Sequence, residues 1–439
     1  MLSLLDGENL SRKEIRKLAF DTGFCKRSSG KIEASDFLLQ LCLQSLEGTV
    51  SYNDLAARIE VKTGTSASRQ AYWERTNDSC VRFFQRILER IMYSKCRLDD
   101  VKELTLSGRF KRILLQDSTV IRLPLRLFAA FSGIRNAHKT VCNARIQGIY
   151  DLLSGRFIKF AIDPYSKNDQ SVTLDIPVEP GDLVLRDRGY FTLEALAEHK
   201  KADADSINRY KHKTTFYDSN TMEKINLIKL LTKHGSIDMD VLAGTDKNLK
   251  VRLVAVPVDE EIANLRRMKA KKEMKGHAPS QDILMLMSWT IFITTITDPA
   301  MTFKEIFTLY GLRWRIENIF KTWKSNFNFA KVHNVSEHQL RVLLTARFIM
   351  IIIFYQKLYL PLSQEIRKTT TKQLSLMKFM RYIRQNIEIL HELLDQRTWT
   401  TNSLEALVRY CTYDRRKRVN FAARLESIML RINSSRPLA

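Results

Sequence analysis

The sequence has 439 residues, of which 44% are hydrophobic and 27% charged, and this length predicts two to four domains rather than one compact core. Lys and Arg number 71 against 48 Asp and Glu, which gives a formal net charge of +23 and a pI near 9.7. Because distributed positive charge gains from phosphate contacts and counterion release, the balance predicts a nucleic-acid partner ahead of a membrane surface. A basic globular protein without such a partner is the alternative.

The cysteines and the apolar runs indicate the compartment. No CxxC pair and no His at ligand spacing is present, which argues against a zinc module or a disulfide framework and favours a reducing environment. The N-terminal residues lack a long apolar stretch, so no signal peptide is predicted. The most apolar run, residues 348–354, is too short to span a bilayer and predicts a buried core helix. We therefore expect a soluble cytoplasmic protein with no membrane partner. The cysteines are Cys25, Cys42, Cys80, Cys96, Cys142 and Cys411.

Residues 1–105 are predicted to form a helical N-terminal DNA-binding domain. Residues 37–46 have the apolar period of a helix. Ser51 is a suitable cap for a short helix, and after a turn at Gly64 residues 66–74 form a second one. Helix, glycine turn, helix is the layout of a helix-turn-helix. A plain helical bundle, which also contains such turns, is the alternative.

Residues 106–204 contain short segments with β-strand propensity. They are predicted to form the first part of an α/β catalytic core with a mixed sheet. Two apolar segments joined by a Ser154–Gly155 turn predict a hairpin. The predicted strands are 112–117, 120–123, 143–153, 156–162 and 182–185, and a helix is predicted over 191–200.

Residues 205–284 interrupt this pattern and are predicted to be a largely β insertion. Strands are predicted over 206–211 and 250–256, and residues 265–275 form a strongly basic arm for which a solvated surface run is the alternative. Residues 285–360 are predicted to be the second part of the core, beginning with a β-rich apolar run over 283–295.

Residues 361–439 are predicted to form a helical C-terminal domain, suited to DNA contacts or self-association but without diagnostic residues. Helices are predicted over 337–357, 373–394 and 403–413.

Residues 310–324 are predicted to form one amphipathic helix. At about 100° per residue, Tyr310, Arg313, Glu317 and Lys324 fall on one face. A hydroxyl, a guanidinium, a carboxylate and an ammonium together suit a site for a divalent metal ion and a phosphate. A surface helix with an intrahelical Arg–Glu pair is the alternative. The adjoining face is apolar and is predicted to lie on the core: Leu309, Ile316, Phe320, Trp323 and Phe327.

Three acids, Asp117, Asp187 and Glu317, are the candidate metal ligands. Asp117 and Asp187 each end a predicted strand, so their carboxylates are expected at the rim of the sheet, where α/β folds bind ligands. Such oxygen ligands bind Mg²⁺, and two ions about 3.5–4 Å apart can activate an attacking hydroxyl and stabilise the leaving oxygen of a phosphoryl transfer. Each acid could instead cap a turn or pair with a neighbour, such as Arg186 or Arg188.

The spacing of Tyr310, Arg313, Glu317 and Lys324 resembles the Y-(2)-R-(3)-E-(6)-K signature of DDE transposases of the IS4 family. The segments LLQDST, YDLLSG, DRGYF and RWRIE also resemble sequences typical of that family. The resemblance extends over roughly residues 108–350 and is weaker in the flanking helical segments. It implies an RNase H-like catalytic core.

The resemblance also implies a role for each matched residue. Asp117, Asp187 and Glu317 would be the catalytic residues that bind two Mg²⁺ ions, for which Mn²⁺ can substitute. The remaining three would grip phosphates near the transposon end, which suits a bidentate guanidinium and a point-charge ammonium. These DNA-binding residues are Tyr310, Arg313 and Lys324.

Two further DNA contacts follow from the resemblance. Some relatives cut the second strand through a DNA hairpin and stack a flipped base on a Trp after the insertion, and Trp289 is similarly placed, 28 residues before Glu317. Stacking contributes about 1–3 kcal/mol, although Trp289 could instead fill the core. Arg209, in the strand after the second Asp, resembles another DNA-contacting position.

The sequence therefore predicts a cut-and-paste transposase. It would bind the terminal inverted repeats of its insertion sequence, cleave them and join the 3′-OH ends to target DNA, with two protomers bridging two ends. A transposase-derived DNA-binding regulator without catalysis is one alternative, which the presence of all three acids disfavours. An RNase H-like nuclease without strand transfer is the other.

Overall fold

The computed structural model describes residues 10–27, 31–93, 109–136, 139–246, 248–273, 278–370, 372–386 and 401–413. The cysteines within these ranges are free thiols. Cys96 and part of the helix predicted over 373–394 lie outside the described residues.

Strands and helices are numbered in chain order. The strands are β1 (Arg112–Leu123), β2 (Gly133–Asn136), β3 (Lys139–Asp151), β4 (Arg156–Pro164), β5 (Asp182–Arg186), β6 (Asp205–Arg209), β7 (Phe216–Asp218), β8 (Ile237–Ala243), β9 (Leu249–Pro257) and β10 (Trp289–Thr294). The helices are α1 (Arg12–Asp21), α2 (Ala34–Ser45), α3 (Tyr52–Thr63), α4 (Arg69–Arg75), α5 (Asp78–Tyr93), α6 (Phe128–Phe131), α7 (Leu193–Lys201), α8 (Leu227–His234), α9 (Glu260–Glu273), α10 (Gln281–Leu286), α11 (Phe303–Gly311), α12 (Trp314–Asn326), α13 (Glu337–Ile353), α14 (Leu360–Thr370), α15 (Leu376–Gln385) and α16 (Thr401–Tyr410). There are 3₁₀ turns at Leu125–Leu127, Gln170–Asp175 and Arg188–Tyr190, and a π-helical turn, Phe354–Tyr359, joins α13 to α14.

The helix pair predicted near Ser51 is present as α3 and α4. Ser51 caps α3, since its side chain accepts a hydrogen bond from the backbone N–H of Asp54. Gly64 ends α3 at a φ of 70°, in the left-handed region that favours glycine. The second helix begins at Arg69 rather than at residue 66, because Ser68 is its N-cap.

The N-terminal helices share a core with the long helix α13. Helices α2 and α5 pack against α13. The buried guanidinium of Arg347 on α13 donates to the carbonyl oxygens of Ser45 and Gly48, each at 2.9 Å, and to that of Phe329 at 3.1 Å. Because a buried guanidinium is stable only when its donors are satisfied, these bonds anchor the end of α2 to the core.

The sheet is mixed, and its first part has the order β3–β1–β5–β6, with both β2 and β4 paired to the outer edge of β3. β3 pairs antiparallel with both β4 and β1, whereas β1, β5 and β6 are parallel neighbours, with α7 connecting β5 to β6. An antiparallel meander followed by two parallel strands is the RNase H-like arrangement, so the predicted α/β fold class is confirmed. The predicted hairpin is β3 and β4.

The insertion continues the same sheet. Beyond β6 the order is β10–β9–β8–β7, with antiparallel pairing throughout. Helices α8, α9 and α10 accompany these strands; residues 265–273 of the predicted basic arm belong to α9, and residues 274–275 lie outside the described residues. The prediction of a β-rich run over 283–295 is wrong for its first residues, which belong to helix α10. Ser280 caps this helix by accepting a hydrogen bond from the N–H of Ile283. The strand β10 begins only at Trp289.

The prediction of a single helix over 310–324 is also wrong, because two helices share this segment. Helix α11 ends at Gly311 and α12 begins at Trp314, with a turn held by i→i−3 bonds such as that from the Arg313 N–H to the Tyr310 carbonyl, at 3.1 Å. Such bonds rotate the backbone by about 120° per residue instead of about 100°. The predicted core face is correct, since its members are buried: Leu309, Ile316, Phe320, Trp323 and Phe327.

One helical segment among the described residues, Glu337–Thr370, is long and apolar enough to cross a membrane. Its most apolar stretch is 94% buried inside the protein. Residues 348–354 belong to this segment, and their predicted place in the core is confirmed.

Candidate active site

Asp117 and Asp187 occupy equivalent positions along two adjacent parallel strands. The parallel ladder between β1 and β5 ends at the pair Gln116–Arg186, and each Asp is the next residue along its chain. The prediction that a strand ends at Asp117 is wrong, because β3 gives β1 a partner up to Leu123 and merges the two predicted short strands. Asp187 does end its strand, and it caps the 3₁₀ turn that follows.

A glycine lets the helix that carries Glu317 approach the strand of Asp117. Asp117 lies opposite Gly148 of β3, and a methyl group on Gly148 would lie 2.9 Å from the ring of Phe320. Carbon atoms do not approach this closely, so Gly148 is what admits Phe320 to the sheet. Glu317 precedes Phe320 by three residues on α12 and is therefore held on the face of the sheet that carries Asp117.

The guanidinium of Arg313 lies between two of the acids. Its Nη1 atom is 2.5 Å from Oε1 of Glu317 and 4.0 Å from Oδ2 of Asp117. The negative charge of Asp187 helps to raise the pKa of both Arg313 and Asp117. Acids from β1 and α12 thus share one cationic side chain, and Asp187 directly follows the neighbouring strand β5.

The electrostatics of this cluster favour additional positive charge. Burial raises the pKa of Asp117 to about 7; the Ser118 N–H and Arg313 oppose the rise, and Glu317 and Asp187 add to it. Burial acts to lower the pKa of Arg313, but Tyr310 and the three acids outweigh it, and the pKa is raised. One guanidinium leaves the carboxylates incompletely neutralised, so a further cation would be bound favourably.

Tyr310, Arg209 and Lys324 adjoin the cluster. The Tyr310 ring lies 5.7 Å from the Arg313 guanidinium, and its hydroxyl has no hydrogen-bond partner among the described residues. Burial raises the pKa of Tyr310, while Arg313 and Arg209 are among the groups that oppose the rise. Lys324 donates from Nζ to the carbonyl oxygen of Val120 at 2.9 Å, on the strand of the first acid.

Trp289 is the first residue of β10 and belongs to the core of the insertion. Its Nε1–H donates to the carbonyl of Gly235 at 2.7 Å, and its half-buried ring packs against the apolar cluster of the insertion. Trp314, by contrast, is 62% exposed and directly follows Arg313. Sequence reasoning missed Trp314 as a candidate, although a Trp between two Arg residues in the RWRIE word was an available signal.

Asp117, Asp187 and Glu317 carry the oxygen ligands that a divalent metal ion prefers, but the described structure does not gather them into a metal site. In the part of the chain that the structure describes, no three Asp, Glu, His or Cys side chains are gathered closely enough to hold a metal ion. The cationic guanidinium of Arg313 stands between Asp117 and Glu317 instead. Carboxylate oxygens of this kind match the ligand preference of Mg²⁺.

A second polar cluster lies on the opposite face of the sheet, behind the acids. Side chains alternate between faces along a strand, so Ser118 points away from Asp117. Its Oγ donates to Oδ1 of Asp169 at 2.9 Å, and Nη1 of Arg145 donates to the same oxygen at 3.0 Å. Sequence reasoning missed this cluster, because Asp169 lies 51 residues from Ser118 in a loop without a recognisable motif.

Comparison with known proteins gives one family match. Residues 108–353 match the sequence model of the transposase DDE domain family. The match covers more than half of the 439 residues and includes all three acids.

Relatives with similar sequences are transposases of bacterial insertion sequences. The chain is 27% identical over 414 residues to the transposase for insertion sequence element IS231D of Bacillus thuringiensis subsp. finitimus, covering 88% of this chain and 86% of the relative. It is 28% identical over 370 residues to the transposase for IS1151 of Clostridium perfringens, covering 79% and 78%. Among solved structures, a piggyBac transposase synaptic complex with hairpin DNA is similar with a TM-score of 0.39 and 10% identity, over 93% of this chain and 84% of that one.

Proposed function

The chain belongs to the transposase DDE domain family, and from this premise we propose how its site moves an insertion sequence. It binds the terminal inverted repeats of its own element, cleaves them and joins the freed 3′-OH ends to target DNA. The observation that carries this proposal is that Arg313 lies between Asp117 and Glu317, while Asp187 directly follows the strand beside that of Asp117.

Transposases of this family depend on divalent metal ions. In this chain Asp117, Asp187 and Glu317 would hold two Mg²⁺ ions, with Mn²⁺ as a substitute. Metal bound there supplies activation of the attacking water or 3′-hydroxyl and neutralises charge on the leaving oxygen. The raised pKa of Asp117 supports this assignment, because a carboxylate short of cationic partners gains from one.

The basic and hydroxyl groups beside the acids hold the DNA backbone. The Tyr310 hydroxyl has a free donor, and Arg313 presents a planar fork that matches a phosphate. When a phosphate replaces Glu317 as the partner of Arg313, the carboxylate of Glu317 is released for the metal. Lys324 and Arg209 add charge on either side.

The second strand is released through a DNA hairpin, with a flipped base stacked on an aromatic ring. Trp289 is our first candidate, since its hydrogen bond to Gly235 fixes the orientation of a ring that remains partly accessible. The exposed Trp314 is the second candidate.

The flanking helices serve DNA binding and assembly. We assign end recognition to the N-terminal domain, residues 1–105, where Arg69 and Trp73 are exposed on α4. In the proposed division, residues 106–204 and 285–360 are the catalytic core around the insertion, 205–284, whose first strand, β6, also extends the core sheet. Residues 361–439 are the proposed C-terminal helical domain, of which 371, 387–400 and 414–439 lie outside the described residues. Two protomers bridge two ends in the cytoplasm, on double-stranded DNA.

A cleavage assay on duplexes that carry the inverted repeats flanking the gene tests the proposal. With Mg²⁺ the wild type should nick the ends, and Asp117→Ala, Asp187→Ala and Glu317→Ala should each abolish cleavage while leaving end binding largely intact. Glu198→Ala, which removes an exposed acid from α7, is the control and should cleave normally. Persistent cleavage in any of the three variants would refute the metal assignment.

The same assay separates the alternatives. Products in which an end is joined to a second DNA exclude a nuclease without strand transfer. Binding without cleavage by the wild type would identify a regulator instead.

A further inference from the structure

We infer that Asp169 is a positioning residue that fixes the two strand-borne acids from the opposite face of the sheet. The inference rests on the proposed function, because it assigns Asp169 a task for the metal-binding acids. Asp169 itself lies on the face away from α12 and Arg313.

The carboxylate of Asp169 bonds to side chains of the sheet and does not cap the turn that follows it. Asp169 precedes the 3₁₀ turn Gln170–Asp175, yet its side chain makes no capping hydrogen bond there. Its Oδ1 accepts from Ser118 Oγ at 2.9 Å and from Arg145 Nη1 at 3.0 Å. Arg145 Nη1 also reaches Ser118 Oγ at 3.2 Å, so the three side chains form a closed triangle.

Ser118 connects this triangle to Asp117. The backbone N–H of Ser118 donates to Oδ1 of Asp117 at 2.8 Å. The same residue is thus held by Asp169 through its side chain and holds Asp117 through its backbone. A rotation of the backbone at Ser118 would turn the Asp117 carboxylate and break the bond to Asp169 together.

The other oxygen of Asp169 faces the turn that Asp187 caps. A methyl group on Gly189 would lie 3.3 Å from Oδ2 of Asp169 and 3.9 Å from Oδ2 of Asp187. The bare backbone of Gly189 therefore packs between the two carboxylates. Tyr190, the next residue, is buried and donates to Oε1 of Gln147 at 2.6 Å, which ties the turn to β3.

Asp169 is thus hydrogen-bonded to the strand that carries Asp117 and lies beside the turn that Asp187 caps, and Arg145 balances its charge. Groups that orient metal ligands without touching the metal contribute about 10- to 100-fold to metal affinity. We expect this contribution to concern the metal alone, since the phosphate-binding residues lie on the other face.

Direct measurement of Mn²⁺ binding by electron paramagnetic resonance tests the inference without relying on turnover. The full chain is bound to the inverted-repeat duplex, and Asp169→Ala is compared with Asp169→Asn and with Asp175→Ala. Asp175 is the control, because it belongs to the same turn and makes surface ion pairs with Lys159 and Lys167. DNA affinity and Tm are recorded for every variant.

Asp169→Ala should weaken Mn²⁺ binding about 10- to 100-fold with unchanged stoichiometry and DNA affinity, and excess Mn²⁺ should restore cleavage. Asp169→Asn keeps an oxygen for both hydrogen bonds and should stay within about threefold of wild type, as should Asp175→Ala. Unchanged Mn²⁺ affinity in Asp169→Ala would overturn the inference. So would a lower stoichiometry in both Asp169 variants, which would make Asp169 a metal ligand.

If Asp169→Ala does not fold, Ser118→Ala decides, because it removes one donor from the triangle. Weaker Mn²⁺ binding by Ser118→Ala supports the inference, and wild-type binding contradicts it. Wild-type protein that binds Mn²⁺ without cutting would refute the proposed function instead, so the two failures are distinguishable.

Discussion

The two faces of the sheet at β1 and β5 both carry carboxylates and guanidinium groups, but these groups are paired differently on the two faces. On the face toward α12, Asp117 and Glu317 share one guanidinium, and the Tyr310 hydroxyl and Arg313 Nε lack partners. On the opposite face, Ser118, Asp169 and Arg145 are bonded to one another, although Nε of Arg145 and Nε2 of Gln147 also have no partner among the described residues. Buried polar groups normally find partners within the fold.

The two faces therefore differ in the pairing of charges: Asp117 and Glu317 share Arg313 on one face, whereas Asp169 pairs with Arg145 on the other. In the proposed function, metal and phosphate bind on the first face, and the bonded groups of the second face hold the strand-borne acids in place. The variants below test this division, from the largest expected effect to the smallest.

The same chemical change should have different results on the two faces. Glu317→Gln removes a ligand charge and should lower the cleavage rate by more than about 10³-fold with intact DNA binding. Asp169→Asn should lower it by less than about 10-fold. Single-turnover cleavage measures both, and equal losses would show that the faces do not differ in task.

Arg186→Met should damage stability more than chemistry. The buried guanidinium of Arg186 donates to Oε1 of Gln116 and to the carbonyl of Thr173 and bonds Nε2 of His199, and each of these three atoms loses that partner in the variant. We expect a loss of about 2–4 kcal/mol in urea unfolding. Arg188→Met, at an exposed position, should unfold like the wild type, and a normal unfolding free energy in Arg186→Met would contradict the structural role of that face.

Gly148→Ala should displace the helix of Glu317. The new methyl group meets the Phe320 ring at 2.9 Å, and overpacking of this kind costs about 1–3 kcal/mol. Cleavage should fall about tenfold because Glu317 moves with the helix. The double variant Gly148→Ala/Phe320→Leu relieves the clash and should recover most of the rate; no recovery would mean that the close approach does not position Glu317.

Asp117→Asn should stabilise the metal-free protein at neutral pH. The pKa of Asp117 is about 7 in the folded protein, against about 3.9 for an exposed Asp. Between these values the unfolded chain releases its proton first, so wild-type stability falls as the pH rises from about 4 to about 7. Asn escapes this loss, and we expect a gain on the order of 1 kcal/mol at pH 8 that vanishes near pH 4. Thermal unfolding in EDTA measures it, and a less stable variant at pH 8 would contradict the cause assigned to the shift.

The sequence predicted features that depend on local pattern. The apolar face of residues 310–324, the cap at Ser51 and the hairpin at Gly155 follow from spacing and turn chemistry within a few residues. The meeting of the three acids was inferred from a family signature; the structure pairs Asp117 and Glu317 with Arg313, and the metal site itself stays a prediction.

The features that escaped prediction depend on distant partners. β1 runs past Asp117 because β3 pairs with it, and Gly148 matters because of Phe320, in a distant helix. The helix break at Gly311 and the contacts of Asp169 likewise could not be predicted, because the spacing of apolar residues along the sequence carries no information about them.

The continuity of the sheet has a mechanical consequence. β6, which ends at Arg209, pairs with β10, which begins at Trp289, through Arg209–Phe292 and two further pairs. The Trp289 ring and the two strand-borne acids therefore belong to one hydrogen-bonded sheet, whose spacing is fixed by strand pairing. Under the proposed stacking of a flipped base on Trp289, the deformation needed to bring the base to the ring falls on the DNA, and end sequences that bend and unstack easily should be processed fastest.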